Sequence, residues 1–135
     1  MAGAPIEDDQ YRQLLQLRAG LRRFLRWSEE QAQREGLTGP QHQLLLAVRG
    51  HDDRRGPTIG EVADYLGLKH HSAVGLVDRT VAAGLVSRRA DPADHRVVRL
   101  QLTAKGSRRL ASLSAAHLEE LRRLAPEIQT IWQGL

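Results

Sequence analysis

The 135-residue chain has no cysteine, which excludes disulfides, thiolate zinc sites and cysteine-based redox switches. No apolar run approaches the roughly 20 residues needed to cross a bilayer. The first ten residues, MAGAPIEDDQ, are acidic and lack the apolar segment of a signal peptide, so a soluble cytoplasmic protein with no membrane partner is expected. Catalytic signatures are missing as well. The six histidines show no HExxH or His-x₃-His spacing. His70 and His71 are adjacent and diverge by about 100° on a helix, while His42, His51 and His117 fall in separate elements. Gly60, Gly67 and Gly75 lie inside helical pattern rather than in a phosphate loop, and no serine sits in a GxSxG elbow. The chain therefore reads as a non-enzyme, with no catalytic residue, cofactor or metal ligand assigned. A metal-sensing regulator built from scattered His and Glu stands as one alternative.

What is present is unevenly distributed charge. The length fits one domain, and the formal charge is +4. From Lys69 to Arg109 there are nine Lys/Arg against three acids (Asp78, Asp91 and Asp94). That is a local excess of +6, so the remainder carries −2. The positive excess confined to one segment is the footprint of a polyanion-binding surface.

That segment follows a recognisable layout. Thr58 with Glu61 forms a capping box, and Ile59, Val62, Ala63 and Leu66 give the following helix one apolar face. Gly67 permits an abrupt stop, and a second helix is expected from about His70 to Ala83. Two short helices joined by a Gly-containing turn are a helix-turn-helix. On the second helix Ala73, Val74, Val77 and Val81 cluster on one side, with Leu76 and Thr80 at the margin. His71, Ser72, Gly75 and Arg79 point the other way, and His70 stands at the N-terminal end. Such a face suits a major groove. An ordinary amphipathic helix with exposed histidines fits the same pattern. Gly84 ends the helix, and LVSRRA and RVVRLQLT read as two strands, the second alternating Val98, Leu100 and Leu102 with Arg99 and Gln101. The loop between them, DPADHR, ends at Arg96. A hairpin with a cationic tip behind a helix-turn-helix is a wing, whose arginine can enter the minor groove.

The run LGLKHHSAVGLVDRTVAAGLVSRRADPADHRVVRLQLTAKG resembles the MarR family of bacterial winged-helix regulators. Its marks are Gly84-Leu85-Val86, Asp91-Pro92, Asp94-His95-Arg96, and Leu102-Thr103 with Gly106. The resemblance implies that Arg96 is the minor-groove arginine and Asp94 its bracing carboxylate. Arg88, Arg89 and Arg99 would contact phosphates or brace the wing. His70 and His71 stand where many members carry Ser, Arg or Thr, so no base preference is carried over.

The flanks are helical. From Asp8 to about Arg34, Tyr11, Leu14, Leu17, Leu21, Phe24 and Leu25 recur at spacings of three and four, after a loose terminus over residues 1–7. Thr38 and Gln41 form a second capping box before a supporting helix that runs to Arg49. After Thr103 a long helix is expected to about Leu124, with Pro126 starting a short last one. The fold expected is mainly α with a small β-hairpin wing: one MarR-like domain over 1–135, with the winged helix-turn-helix at 37–104. Helices at 8–36 and 105–135 carry more apolar stripe than such a domain covers, and the resemblance makes them dimerisation helices. It further implies a homodimer on a palindromic operator, acting in transcription regulation as a repressor, with a small-molecule effector. Trp27, His42 and His117 can line a ligand crevice, and core packing explains them equally.

The rival reading is a winged-helix protein-interaction module without DNA binding. Titrating salt against a random duplex separates the two. DNA binding should give a steep loss of affinity, with a log–log slope of about −0.9 per phosphate contact; a flat response favours the interaction module.

Overall fold

Three threonines open three of the helices. Thr38 Oγ1 accepts the Gln41 N–H at 3.2 Å while Gln41 Oε1 accepts the Thr38 N–H at 3.0 Å, and α2 runs Gly39–Gly50. Thr58 and Glu61 repeat the exchange at 3.2 and 3.1 Å before α3, Ile59–Leu66. Thr103 accepts the Gly106 N–H at 3.0 Å at the head of α5, Ala104–Gln133. Each satisfies helix-end donors that would otherwise lose a partner. The first helix, α1, spans Asp8–Arg34, and α4 spans His70–Ala82. Gly67, at φ 66°, closes α3 and leaves a three-residue turn before α4. Strands β1 (Val86–Ala90) and β2 (Val98–Leu102) pair antiparallel, from Val86 opposite Leu102 to Ala90 opposite Val98.

This computed structural model describes residues 3–135. Of the terminus expected to be loose, residues 1 and 2 lie outside the described residues, and residues 3–7 have no regular structure. Glu7 caps α1 by donating its N–H to Gln10 Oε1 at 3.0 Å.

An aliphatic core joins the elements. Leu44 and Leu45 of α2 meet Val62 of α3, Leu76 and Val77 of α4, Val86 of β1, Leu100 of β2 and Leu113 of α5, all fully or almost fully buried. Such side chains stabilise by about 1.5–3 kcal/mol each. That packing, rather than local propensity, holds an eight-residue helix such as α3, which is too short to persist alone.

Two expectations need correction. On α4 the buried face is Ala73, Leu76, Val77 and Thr80, with Val74 and Val81 only half-buried. Leu76 and Thr80 belong to the side that α2, α3 and β1 cover, and Thr80 is accommodated by donating to Leu76 O at 2.7 Å. The last two helices are one: α5 runs through Pro126 to Gln133. Proline removes a single backbone donor at a cost of about 3 kcal/mol. Against that, Leu124 before it and Ile128 and Ile131 after it line one groove facing α1, so a straight path keeps all three on the same surface.

Where α1, α2 and α5 meet, Phe24, Trp27, His42 and His117 stack. Ring centroids lie 4.9 Å apart for Trp27–His117 and 4.8 Å for His42–His117. His117 Nδ1 donates to Leu113 O at 2.7 Å, leaving Nε2 to accept from the Ser28 hydroxyl at 2.6 Å in the neutral ring. Burial first, and then the neighbouring His117, lower the His42 pKa, so His42 packs as a neutral ring.

The start of α5 is pressed against the residues leaving α4. A Cβ on Gly106 would meet Leu85 O at 2.0 Å. Gly106→Ala should therefore destabilise by at least about 2 kcal/mol, lowering the melting temperature by several degrees. Gly60→Ala, whose Cβ meets only Thr58 Oγ1 at 3.8 Å, should be neutral or stabilising. A Gly106→Ala protein melting with the wild type would refute the close approach.

Candidate nucleic-acid interface

On α4, His70, His71, Ser72 and Arg79 are exposed and Gly75 is half-buried, all on the side away from the core. Arg79 lies back along its helix, with Nη1 3.3 Å from where a Gly75 Cβ would stand. Unlike α2, α3 and α5, the helix begins without a side-chain cap, at Lys69; its first turn also holds no acid. Its leading N–H groups and helix dipole therefore face outward as partial positive charge. Asp78 shares this exposed side and pairs with Arg88 of β1.

The wing tip is built on two carboxylates. Asp94 grips Arg96 through both oxygens, at 3.0 Å to Nε and 3.1 Å to Nη2, and also accepts the Arg96 backbone N–H at 3.1 Å. These bonds, the side-chain pair foremost, hold the Asp94 carboxyl below the usual carboxylate range. The Arg96 side chain is 91% exposed. A bidentate partner aims the guanidinium without burying it.

Asp91 behaves differently. Its side chain is 4% exposed. Oδ1 accepts the Ala93 N–H at 2.7 Å and the Asp94 N–H at 3.3 Å; Oδ2 accepts Arg99 Nε at 2.6 Å and Arg55 Nη1 at 3.4 Å. The Arg99 bond is the largest cause of its lowered pKa. Arg99 in turn donates Nη1 to Gly56 O at 3.0 Å and is only 16% exposed. Of the two roles expected for Arg99, the geometry is that of a brace. Next to it the Leu100 N–H donates to Pro57 O at 2.9 Å, so the loop before α3 continues the hairpin edge and anchors the wing to the helix-turn-helix. Arg88 is held by Asp78, whereas Arg89 is exposed directly across the ladder from Arg99. Like charges opposed in a sheet repel, and the Asp91 carboxylate offsets this at Arg99.

The predicted residues thus divide into an outward set (His70, His71, Ser72, Arg79, Arg89 and Arg96) and bracing residues (Arg88, Asp94 and Arg99), with Gly75 giving Arg79 its room. Sequence reasoning took Asp91 only as a turn former and passed over Arg55. Asp91 stands eight residues from Arg99 in an arginine-rich hairpin, which was a usable signal; Arg55, 36 residues away, offered none. Among the described residues, no three His, Asp or Glu side chains converge as metal ligands, and no helix is long and apolar enough to cross a membrane.

Residues 35–97 match the family model described as MarR family. A relative, the uncharacterized HTH-type transcriptional regulator YsmB of Bacillus subtilis (strain 168), is 38% identical over 65 residues. That match covers 48% of this chain and 44% of YsmB, so less than half of that protein's length is spanned. Among solved structures, a MarR family protein from Bacillus stearothermophilus superposes with a TM-score of 0.75 at 25% identity, covering 89% of this chain and 82% of the other. The S. aureus MepR–DNA complex superposes with a TM-score of 0.69 at 17% identity, covering 80% and 77%, and shows likeness of fold. Together these support a mainly helical winged-helix fold with its two-stranded hairpin.

Acid should act on the wing with a defined sign. Asp91 and Asp94 have folded pKa values below their ordinary 3.8, so their stabilisation is complete above about pH 4 and is lost as pH falls through the folded values. The Ala93 and Asp94 amide resonances should hold their shifts from pH 7 to about 4 and move only below that. Movement centred near pH 6 would contradict the assignment.

Proposed function

We propose that this chain, a member of the MarR family, is a transcriptional regulator that binds double-stranded DNA as a homodimer on a palindromic operator. The observation that carries the reading is Arg96: it stands almost fully exposed, aimed by Asp94, at the tip of a hairpin anchored to a helix-turn-helix. An exposed arginine held in a fixed direction is what insertion into a narrow minor groove requires. His70, His71, Ser72 and Arg79, with Gly75 between them, face the major groove, where His71 and Arg79 reach base edges. Arg89 contacts phosphate, while Arg88 and Arg99 support the wing. MepR, which shares the fold, is solved with DNA.

The dimer rests on the terminal helices. Tyr11, Leu14 and Leu25 of α1 and Leu121, Ile128 and Trp132 of α5 are exposed, an apolar surface that a second copy covers. A twofold pair presents recognition helices about 34–36 Å apart, one turn of the duplex. Repression and release by an effector are the roles the family resemblance favours. A groove of about 470 Å³ between α1 and α5, lined by Leu17, Phe24, Trp27, Leu121, Leu124 and Ile128 among others, has the size and character of a small-molecule site. A ligand there acts by favouring one spacing of the recognition helices over another.

Selection from a random duplex library tests the reading. The protein should enrich inverted repeats whose half-sites are centred one helical turn apart, 10–10.5 bp as a rough spacing. Enrichment of single, unrepeated motifs would overturn the dimer; failure to enrich any sequence would overturn sequence-specific DNA binding.

A further inference from the structure

Between the anchored base of the wing and its exposed tip lies a short relay of hydrogen bonds, and one side chain, Asp91, bonds to both the base and the turn. The segment from Asp91 to Val97 is closed at its ends by Asp91 N–H to Val97 O at 2.8 Å and Val97 N–H to Asp94 O at 2.9 Å. Within it, Asp91 Oδ1 accepts the backbone N–H groups of Ala93 and Asp94, which orients the residue that grips Arg96. Its other oxygen holds Arg99 and Arg55, which belong to β2 and to the loop ahead of α3.

We propose that Asp91 is a positioning residue for DNA binding: it transmits the placement of the helix-turn-helix to Arg96, through Asp94. The inference rests on the DNA-binding reading above. The chemistry of the group supports it. A carboxylate accepts on both oxygens, and here both are used, one for the turn and one for the anchor. An amide of the same shape accepts on one side only, so Asp91→Asn places an NH₂ against either the Ala93 and Asp94 N–H groups or the Arg99 guanidinium. The turn then separates from its anchor while Arg96 and Asp94 remain unchanged in kind. A buried carboxylate that merely stabilised the fold would lower melting temperature without regard to Arg96.

A double-mutant cycle distinguishes the two. The probe is a duplex carrying the site that the wild-type protein selects from a random library. Arg96→Ala should weaken binding about tenfold or more, Asp91→Asn should weaken it by a similar factor, and the double variant should bind no more weakly than Arg96→Ala alone. If Asp91→Asn does not fold, Arg99→Gln, which cuts the anchor and leaves the turn, takes its place with the same expectation. Wild-type affinity in the Asp91 or Arg99 variant, or losses that multiply in the double variant, overturns the inference alone. Wild-type affinity in Arg96→Ala overturns the wing reading itself and this inference with it.

Discussion

The junction of α4, β1 and α5 sets the position of everything that faces outward. A helix ends with carbonyls that its own backbone cannot satisfy; after α4, Gly84 and Leu85 donate back to Val81 O and Thr80 O, and the start of α5 supplies partners for the carbonyls that follow. Lys105 Nζ donates to Ala83 O at 3.0 Å, Thr103 Oγ1 to Gly84 O at 2.6 Å, and the Thr103 N–H to Leu85 O at 3.1 Å. Thr103 uses the same hydroxyl oxygen to cap α5. The exit of α4 and the entry of α5 therefore share atoms. Gly106, one turn into α5, has no room for a Cβ against Leu85, so the two helices cannot shift past each other without breaking several of these bonds at once. Any displacement of α5 is passed to α4 at that point.

The charge of the segment and the charge it offers to a partner differ. Of the arginines between Lys69 and Arg99, Arg88 is taken up by Asp78 and Arg99 by Asp91, and Arg96 is shared with Asp94. Only Arg79 and Arg89 have no carboxylate within 4 Å among the described residues. The exposed pairs, Arg88 with Asp78 and Arg96 with Asp94, are worth little as stability, with a median of about 0–1 kcal/mol. Their effect is geometric: they spend part of the charge to fix where the rest points. A net charge therefore overstates the number of phosphate contacts and says nothing of their direction.

Local physics made much of this legible in the sequence. Thr58 with Glu61, Thr38 with Gln41, and Gly67 were readable because capping acts within four residues, and β2 was readable because alternation is a property of one strand. Three features resisted. Arg99 alternates outward in β2, yet it is covered because the loop of residues 53–57 lies across that side of the hairpin. Nothing near Arg99 announces a partner 43 residues earlier at Gly56. The buried side of α4 was drawn from hydrophobicity, which ranks Val81 above Thr80. The structure ranks them by what packs opposite, and a threonine that bonds its own helix can be buried. Pro126 was read as a boundary because a proline penalty is local, whereas the gain from keeping Leu124, Ile128 and Ile131 in one line is spread over several residues. Arg96 with Asp94 was placed by the family resemblance and by the loop, and the geometry joins them. The relay behind them through Asp91 was not visible, since it depends on which oxygen faces which donor.

The few aromatic residues show how the molecule divides its labour. Five Phe, Tyr and Trp serve 135 residues, and none lies in the core cluster that joins the helix-turn-helix to the hairpin, which is Leu, Val and Ala throughout. Phe24 and Trp27 instead stack with His117 where the terminal helices meet the winged unit. Tyr65 pairs with His51 at 2.9 Å on the α3 side. The remaining two, Tyr11 and Trp132, sit exposed on α1 and α5. Rings are enriched at protein interfaces, and of the three exposed rings, Tyr65 on α3 being the third, these two lie on the helices whose apolar stripes also face outward. The placement agrees with the proposed dimer, in which a second copy covers the terminal helices while the winged unit packs around its own core.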